Sequence, residues 1–307
     1  MRWPTACGDW LAPGNGRCAA STFLRSPDRW TPDPVTHSSA VIRDLLDRHG
    51  LSPRGALGQN FVVDPNTVRR IADLAGVGPG DRVVEIGAGL GSLTLALVET
   101  GASVTAVETD GHLVPILTEV LAGTDTEVVH ADATELDWSA LLGPERWTLV
   151  ANLPYNIATP LVLDLLADVP AIERMLVMVQ LEAGRRLVAE AGHKEYGIPS
   201  VKVAYHAVGR VVGRVPASVF LPRPRVESCL VLIERRPQPV VDIAPERLFP
   251  LVEAAFNQRR KMLRRSLAGR VRPEAFAQAG VDPEDRPEGL DIEAWAALAA
   301  ATHNLAG

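Results

Sequence analysis

The stretch VVEIGAGLGSLT, residues 83–94, decides the fold. Val83, Val84 and Ile86 surround a single acid, Glu85, in a run short enough for a buried strand. Gly87, Gly89 and Gly91 then let the backbone turn sharply and come close to a ligand. LGSLTLALVETG (90–101) continues as an apolar helix that Gly101 closes. A strand, a glycine turn and a helix in that order open a doubly wound α/β domain. The turn is not of the dinucleotide type. That fingerprint, G-x-G-x-x-G, needs glycine where Ser92 stands, and the spacing here is G-x-G-x-G. Taken alone, such a turn is also compatible with a ligand-free connection.

The alternation extends on both sides. Upstream, SSAVIRDLLDRHG (38–50) has serine caps and a glycine stop, and DPNTVRRIADLAG (64–76) has Asp64 as cap and Pro65 as first helical residue. Downstream, SVTAVE (103–108), TEVVHAD (126–132), WTLVAN (147–152) and IERMLVMVQ (172–180) predict strands. GHLVPILTEVLAG (111–123), with Pro115 near its first turns, and IATPLVLDLLADV (157–169) predict the helices between them. VKVAYHAVGRVVGRV (201–215) and SCLVLIE (228–234) predict late strands, an antiparallel pair at one edge. The expected fold is α/β: a mostly parallel, Rossmann-like sheet with helices on both faces, over residues 38–238. The Pro-rich segment RRPQPVVDIAPE (235–246) breaks the pattern, and only helical signals follow: ERLFPLVEAAFNQ, RRKMLRRSLAG, PEAFAQAG and DIEAWAALAAATH. Residues 239–307 are thus expected to form a small all-helical C-terminal domain.

Two acids sharpen the reading of the turn. Glu108 ends the second strand, 21 residues after Gly87, where a carboxylate can accept both hydroxyls of a ribose. Asp132 ends the third, where it can accept from an adenine amine while the Ala133 amide donates to the ring. Capping of the following helices is the bland alternative. With Glu85 and the glycines, these residues line the carboxyl edge of the sheet, where such folds bind ligands. No basic residue stands in the turn to meet a pyrophosphate, so S-adenosylmethionine suits the edge better than a dinucleotide. The fourth strand ends in Asn152-Leu153-Pro154-Tyr155. The Asn152 side-chain oxygen and the Leu153 carbonyl, which Pro154 keeps out of regular structure, offer two acceptors to one amine. Tyr155 offers a face for a base to stack on, and Phe220 is a candidate for the opposite face. A base inside a duplex cannot reach such a pocket and must be unpaired or flipped.

FNQRRKMLRRSLAGRVR (256–272) carries seven Lys or Arg and no acid, in a chain of formal net charge −6. Arg259, Arg260, Lys261, Arg264 and Arg270, with Arg223 and Arg225 in the Pro-rich loop before the last strand, can form a phosphate-binding face. The three cysteines, Cys7, Cys18 and Cys229, have no metal-ligand spacing, so no metal is expected, and they fit a reducing cytoplasm. No apolar run of about 18 residues predicts a membrane span. The first 37 residues hold three of six Trp and many Pro without period, and read as a disordered extension, or as sequence upstream of the true start.

Taken in order, LGQNFVVD (57–64), VEIGAGLGSLT (84–94), AVETD (106–110), DAT (132–134), ANLPYNIATPL (151–161), VFLPRPRVES (219–228) and AFNQRRKMLRRSL (255–267) are similar to motifs of the KsgA/RsmA/Dim1 family of ribosomal RNA adenine dimethyltransferases. The resemblance covers about residues 38–303. It implies a class I S-adenosylmethionine-dependent methyltransferase fold and a cytoplasmic, monomeric enzyme. It also implies a partner, 16S rRNA within the 30S subunit, whose 3′-terminal hairpin loop has two adjacent adenosines dimethylated late in assembly. By the same resemblance, Asn60, the backbone at Val62, Gly87, Glu108, Asp132 and Asn152 would contact the cofactor. Asn152 would also bind the target amine, and Tyr155 and Phe220 would flank the base. Two positions depart from the pattern: Ala88 replaces a common Pro, and RGALGQN (54–60) keeps only Arg54 of the basic residues before Gly-Gln. Two alternatives stay open: a 23S rRNA adenine methyltransferase of the macrolide-resistance type, and an assembly factor whose binding outweighs its catalysis.

Overall fold

The computed structural model describes residues 37–55 and 58–304, so the extension expected at the N-terminus lies outside the described residues up to position 36. Helix α1 (Ser39–Arg48) is followed by a two-residue strand, β1 (Phe61–Val62), and α2 (Pro65–Ala75). Strand and helix then alternate: β2 (Arg82–Ile86), α3 (Ser92–Glu99), β3 (Ser103–Glu108), α4 (Val114–Val120), β4 (Glu127–His130), α5 (Trp138–Leu142), β5 (Trp147–Asn152), α6 (Ala158–Asp168) and β6 (Ile172–Gln180). Helices α7 (Leu181–Leu187) and α8 (Ile198–His206) precede β7 (Ala207–Val215), β8 (Phe220–Leu221) and β9 (Ser228–Arg235). Four α-helices close the described residues: α9 (Pro245–Phe256), α10 (Leu263–Ser266), α11 (Pro273–Ala279) and α12 (Ile292–Asn304).

Seven strands form one sheet in the order β4-β3-β2-β5-β6-β9-β7, and β9 runs antiparallel to both of its neighbours. The chain winds outward from β2 to β4 and returns to place β5 on the other side of β2. Beyond the carboxyl ends of β2 and β5 the two windings part and leave a crevice. A second, two-stranded ribbon pairs Val62 with Phe220 and Phe61 with Leu221, and so brings the GQNF segment across to the loop before β9. Among the described residues no helix is long and apolar enough to cross a membrane.

Two expectations are corrected. Residues 201–206, the front part of the expected strand VKVAYHAVGRVVGRV (201–215), belong to the helix Ile198–His206. Val201, Val203 and Tyr205 are all buried, which mimics the alternation of a strand. In a helix, residues two apart face opposite sides. Val203 joins the core beneath the sheet, whereas Val201 and Tyr205 join the core of the C-terminal helices. The alternation therefore marks a helix buried on two faces. The basic run is the second correction. Only Leu263–Ser266 is helical there, flanked by turns. Arg260–Arg264 and Lys261–Arg265 would be like-charged i,i+4 pairs on a continuous helix, which disfavours one.

Arg235, the last residue of β9, closes the C-terminus of α6. Its guanidinium donates to the carbonyls of Leu165 (3.1 Å), Leu166 (2.7 Å), Val169 (3.1 Å) and Ile172 (2.9 Å). Leu165 and Leu166 lie in the last turn of α6, at the negative end of its dipole, Val169 is its C-cap, and Ile172 opens β6, so one guanidinium ties the helix end to the strand that follows. Arg235→Met should therefore lower the unfolding free energy in urea by about 2 kcal/mol, and Arg235→Lys should recover less than half, since one ammonium cannot span the same carbonyls.

Candidate active site

The glycine turn after β2 is built by main-chain bonds to its neighbour strand. The N–H groups of Gly87 and Ala88 both donate to the Val107 carbonyl, at 2.9 and 3.3 Å. Gly89 has φ +58°, and a Cβ there would come within 3.1 Å of the Phe61 ring. Glycine is thus required at 89 by backbone conformation and by space together. The Gly89 N–H donates to Glu108 Oε2 at 2.7 Å, and the Asp110 N–H donates to Glu108 Oε1 at 2.8 Å. Glu108 is 5% exposed. Burial, its largest influence, raises its carboxyl above the usual range, and the two amides act against that.

These residues line a cleft of about 800 Å³, counting the part open to solvent. Its wall includes Asn60, Val62, Glu85, Gly87, Gly89 and Glu108, and Asn152 and Pro154 close its far side. Most of the residues expected at the cofactor are therefore brought together. Gln59, Ser92, Thr109 and Leu113 also line the cleft and were not singled out. Three of them adjoin a residue that was, Asn60 or Glu108 or Gly91, and adjacency in sequence was the available signal. Asp132 and Ala133 lie outside this lining. β4 ends at His130, and the Asp132 carboxylate accepts from the Thr134 backbone N–H (2.9 Å) and hydroxyl (2.7 Å) through one oxygen, Oδ1.

Polar atoms in the cleft wall are left without partners. Glu85 Oε2 and Ser92 Oγ are buried there and make no hydrogen bond among the described residues. Burial, reinforced by the nearby Glu108 charge, pushes the Glu85 carboxyl up to about 8. A carboxyl in that state is poised to ionise beside an incoming cation.

At the end of β5, the Asn152 Nδ2 donates to the Asn60 carbonyl at 2.9 Å. A carbonyl can only accept, so this bond fixes which end of the amide is nitrogen and leaves Oδ1 as an acceptor. The Leu153 N–H donates to the Met178 carbonyl (3.1 Å), and its buried side chain anchors the turn in the core. The half-buried Tyr155 is held by a 2.9 Å bond between its hydroxyl and Ser228 Oγ. Phe220 is placed differently from expectation. It is 4% exposed, in the core with Val62, Val68 and Ile71, because pairing with Val62 turns its ring inward. It backs the cleft and does not face it.

Of the basic residues, Arg223, Arg225, Arg260 and Lys261 are exposed and form no ion pair among the described residues. Arg264 pairs with Glu284 at 3.0 Å. Arg259 donates to the Lys194 carbonyl at 2.6 Å and lies 3.4 Å from Glu288. It is a tie within the protein as much as a surface charge.

Solved structures share this architecture. That of the 23S rRNA methyltransferase ErmE superposes with a TM-score of 0.63 at 28% identity, covering 79% of this chain and 99% of its own. A dimethyladenosine transferase from Plasmodium falciparum gives a TM-score of 0.63 at 21% identity, covering 76% and 94%. The sheet order, the glycine turn and the acid-walled cleft at the carboxyl edge define a class I S-adenosylmethionine-dependent methyltransferase fold. A family profile described as ribosomal RNA adenine dimethylase matches residues 50–303. Ribosomal RNA small subunit methyltransferase A of Kineococcus radiotolerans is 50% identical over 273 residues, covering 86% of this chain and 90% of that protein. Its namesake in Cutibacterium acnes is 48% identical over 273 residues, covering 82% and 90%. The chain belongs to the ribosomal RNA adenine dimethylase family and is an RNA-modifying enzyme.

The raised Glu85 carboxyl has a signature without any ligand. Between about 4.5, the ordinary value, and about 8, the folded protein holds a proton that the unfolded chain has lost. Folding stability therefore falls as pH rises through that window and levels off above it. Glu85→Gln should flatten this part of the profile of melting temperature against pH between 5.5 and 8.5. An unchanged slope would remove Glu85 as its source.

Proposed function

We propose that this enzyme transfers methyl groups from S-adenosylmethionine to the exocyclic amines of two adjacent adenosines in the 3′-terminal hairpin loop of 16S rRNA, in the assembling 30S subunit. The observation that carries the reading is the Asn152 amide, fixed by the Asn60 carbonyl beside the acid-walled cleft. Relatives 45–50% identical are named for the small subunit, whereas ErmE, named for 23S rRNA, stands at 28%. That difference favours the small-subunit substrate.

The cleft suits the cofactor. Its walls hold two buried acids and the unpartnered Ser92 hydroxyl, and Gly87 and Gly89 offer backbone without side chains. S-adenosylmethionine supplies an electrophilic methyl on a positively charged sulfur. Glu108 would receive the ribose hydroxyls, since each oxygen retains a lone pair after accepting one amide. Glu85 would ionise towards the cation. Asp132, with Oδ2 unused, and the Ala133 amide would read the adenine from beyond the cleft.

The chain's own part in the reaction is positional. Asn152 Oδ1 and the Leu153 carbonyl accept the two amine hydrogens of the target adenine and draw its lone pair out of conjugation. Tyr155 supplies the stacking face, while Phe220 backs the cleft from the core with Val62, Val68 and Ile71. Each transfer would form one N–C bond as the methyl's bond to the cofactor sulfur breaks and its electron pair returns to that sulfur, and the alkylated amine then loses one proton to water. Two transfers exhaust the two hydrogens, which fits a dimethylated product. Arg223, Arg225, Arg260 and Lys261 would meet RNA phosphates, with Arg264 and Arg259 joining once their internal pairs are shared. The C-terminal helices α9 to α12 would dock the subunit. The setting proposed is cytoplasmic, the enzyme acting as a monomer.

Methyl transfer from labelled S-adenosylmethionine to 30S particles lacking the modification, compared with 50S particles, tests the reading. Product confined to the 30S hairpin is expected, and label on 23S rRNA would overturn the branch. Asn152→Ala should lose at least about 100-fold in kcat, by loss of an amine-positioning acceptor, with 30S affinity unchanged. Replacing Arg260 and Lys261 by Ala should lower the slope of log affinity against log salt by roughly 1.5.

A further inference from the structure

The acid Asp110 lies outside the cleft yet is joined to both of its walls. Its side chain is 3% exposed. Oδ2 accepts from Gln59 Nε2 at 2.7 Å, and Oδ1 accepts from the His112 backbone N–H at 3.0 Å and lies 3.4 Å from Arg54 Nη1. Its own N–H donates to Glu108. Gln59 in turn accepts the Arg54 N–H through Oε1 at 2.8 Å, so its amide cannot flip without facing donor to donor. The next residue, Asn60, orients Asn152 through its carbonyl. Gly58, with φ +66°, lies so close to Pro154 that a Cβ would meet the Pro154 Cβ at 3.0 Å. The short run Gly58–Asn60 is thus fastened on one side to the acid edge and on the other to the acceptor turn. Burial alone would raise the Asp110 carboxyl, but the donors of His112, Gln59 and Arg54 outweigh it and hold it below its usual range.

We infer that Asp110 and Gln59 form a positioning clasp, which holds Gly58–Asn60 over the cleft and so links occupancy of the cofactor site to orientation of the Asn152 amide. The inference rests on the reading that the cleft takes S-adenosylmethionine. Asp110 touches neither cofactor nor target; it acts through Gln59 and through Glu108.

The clasp has a polarity that can be reversed. In Asp110→Asn an amide competes with the Gln59 amide, and in Gln59→Glu two carboxylates oppose each other. In the double variant Gln59→Glu/Asp110→Asn, the new carboxylate accepts from both the Arg54 N–H and the new amide, and the pairing is restored. The measurements are S-adenosylmethionine affinity by calorimetry, KM and kcat on unmodified 30S particles, and 30S affinity. Each single variant should weaken cofactor binding and raise its KM about ten-fold, the worth of one charge-assisted hydrogen bond. At saturating cofactor kcat should also fall about ten-fold in each single variant, because Asn60 no longer holds the Asn152 amide in place, while 30S affinity is unchanged; the double variant returns both quantities to within about three-fold of the wild type. Single variants that bind like the wild type, or a double variant that loses the sum of both, would overturn the clasp. Gln59→Glu alone keeps the test available if Asp110→Asn fails to fold. A wild-type protein that binds no S-adenosylmethionine would instead sink the reading of the cleft.

Discussion

Glu108 stands buried at the end of β3 with both oxygens taken by main-chain N–H groups, from Gly89 on one side and Asp110 on the other. An ionised carboxylate placed there without donors would cost several kcal/mol. The donors exist because the glycine turn after β2 folds back over β3, with Gly87 and Ala88 bonded to the Val107 carbonyl. Turn and acid hold each other in place. The turn is therefore shaped before any ligand arrives, and the ligand does not have to organise it. Phe61 presses on Gly89 from above, and the β1–β8 ribbon holds Phe61 there. The loop carrying Arg223 and Arg225 leaves from that ribbon, so the order of one turn extends to the rim.

Charge is divided by location. The chain is acidic overall, but buried acids stand at the cleft, and exposed bases without ion pairs, Arg223, Arg225, Arg260 and Lys261, stand in the loop before β9 and in the turns after α9. The buried acids favour a cationic ligand, since the ligand-free pair avoids mutual repulsion by keeping a proton on Glu85, and a positive charge beside it lets that proton go. The exposed bases favour a polyanion. One molecule can thus attract both without the two ligands competing for the same field, because burial confines the first and solvent screens the second.

Most of the sheet was legible in the sequence because a parallel core strand is a short β-branched run between glycine and helix signals, and β2 to β6 are such runs. The cofactor edge was legible for the same reason: a residue ending such a run must lie at the crevice. The α8 segment was not. Its buried residues alternate because two cores meet on it, and periodicity alone cannot separate that from a strand. Phe220 was misplaced because the two-residue pairing of β1 with β8 is too short to leave a pattern. Asp110 and Gln59, 51 residues apart, meet through a side-chain bond that no local pattern encodes.

The basic run shows why counting charges is a poor guide to a binding face. Seven Lys or Arg lie between residues 256 and 272, but the fold uses some of them. Arg259 is bound to the Lys194 carbonyl and faces Glu288, which joins the turn after α9 to the segment before α8 and to the loop before α12. Arg264 is paired with Glu284. Recruiting either to a phosphate exchanges one partner for another and gains less than an unpaired base would. Arg260 and Lys261 carry no such debt. The sequence places these residues side by side, and their environments assign them different work: Arg259 and Arg264 set the shape of the C-terminal turns, and their neighbours present charge from it.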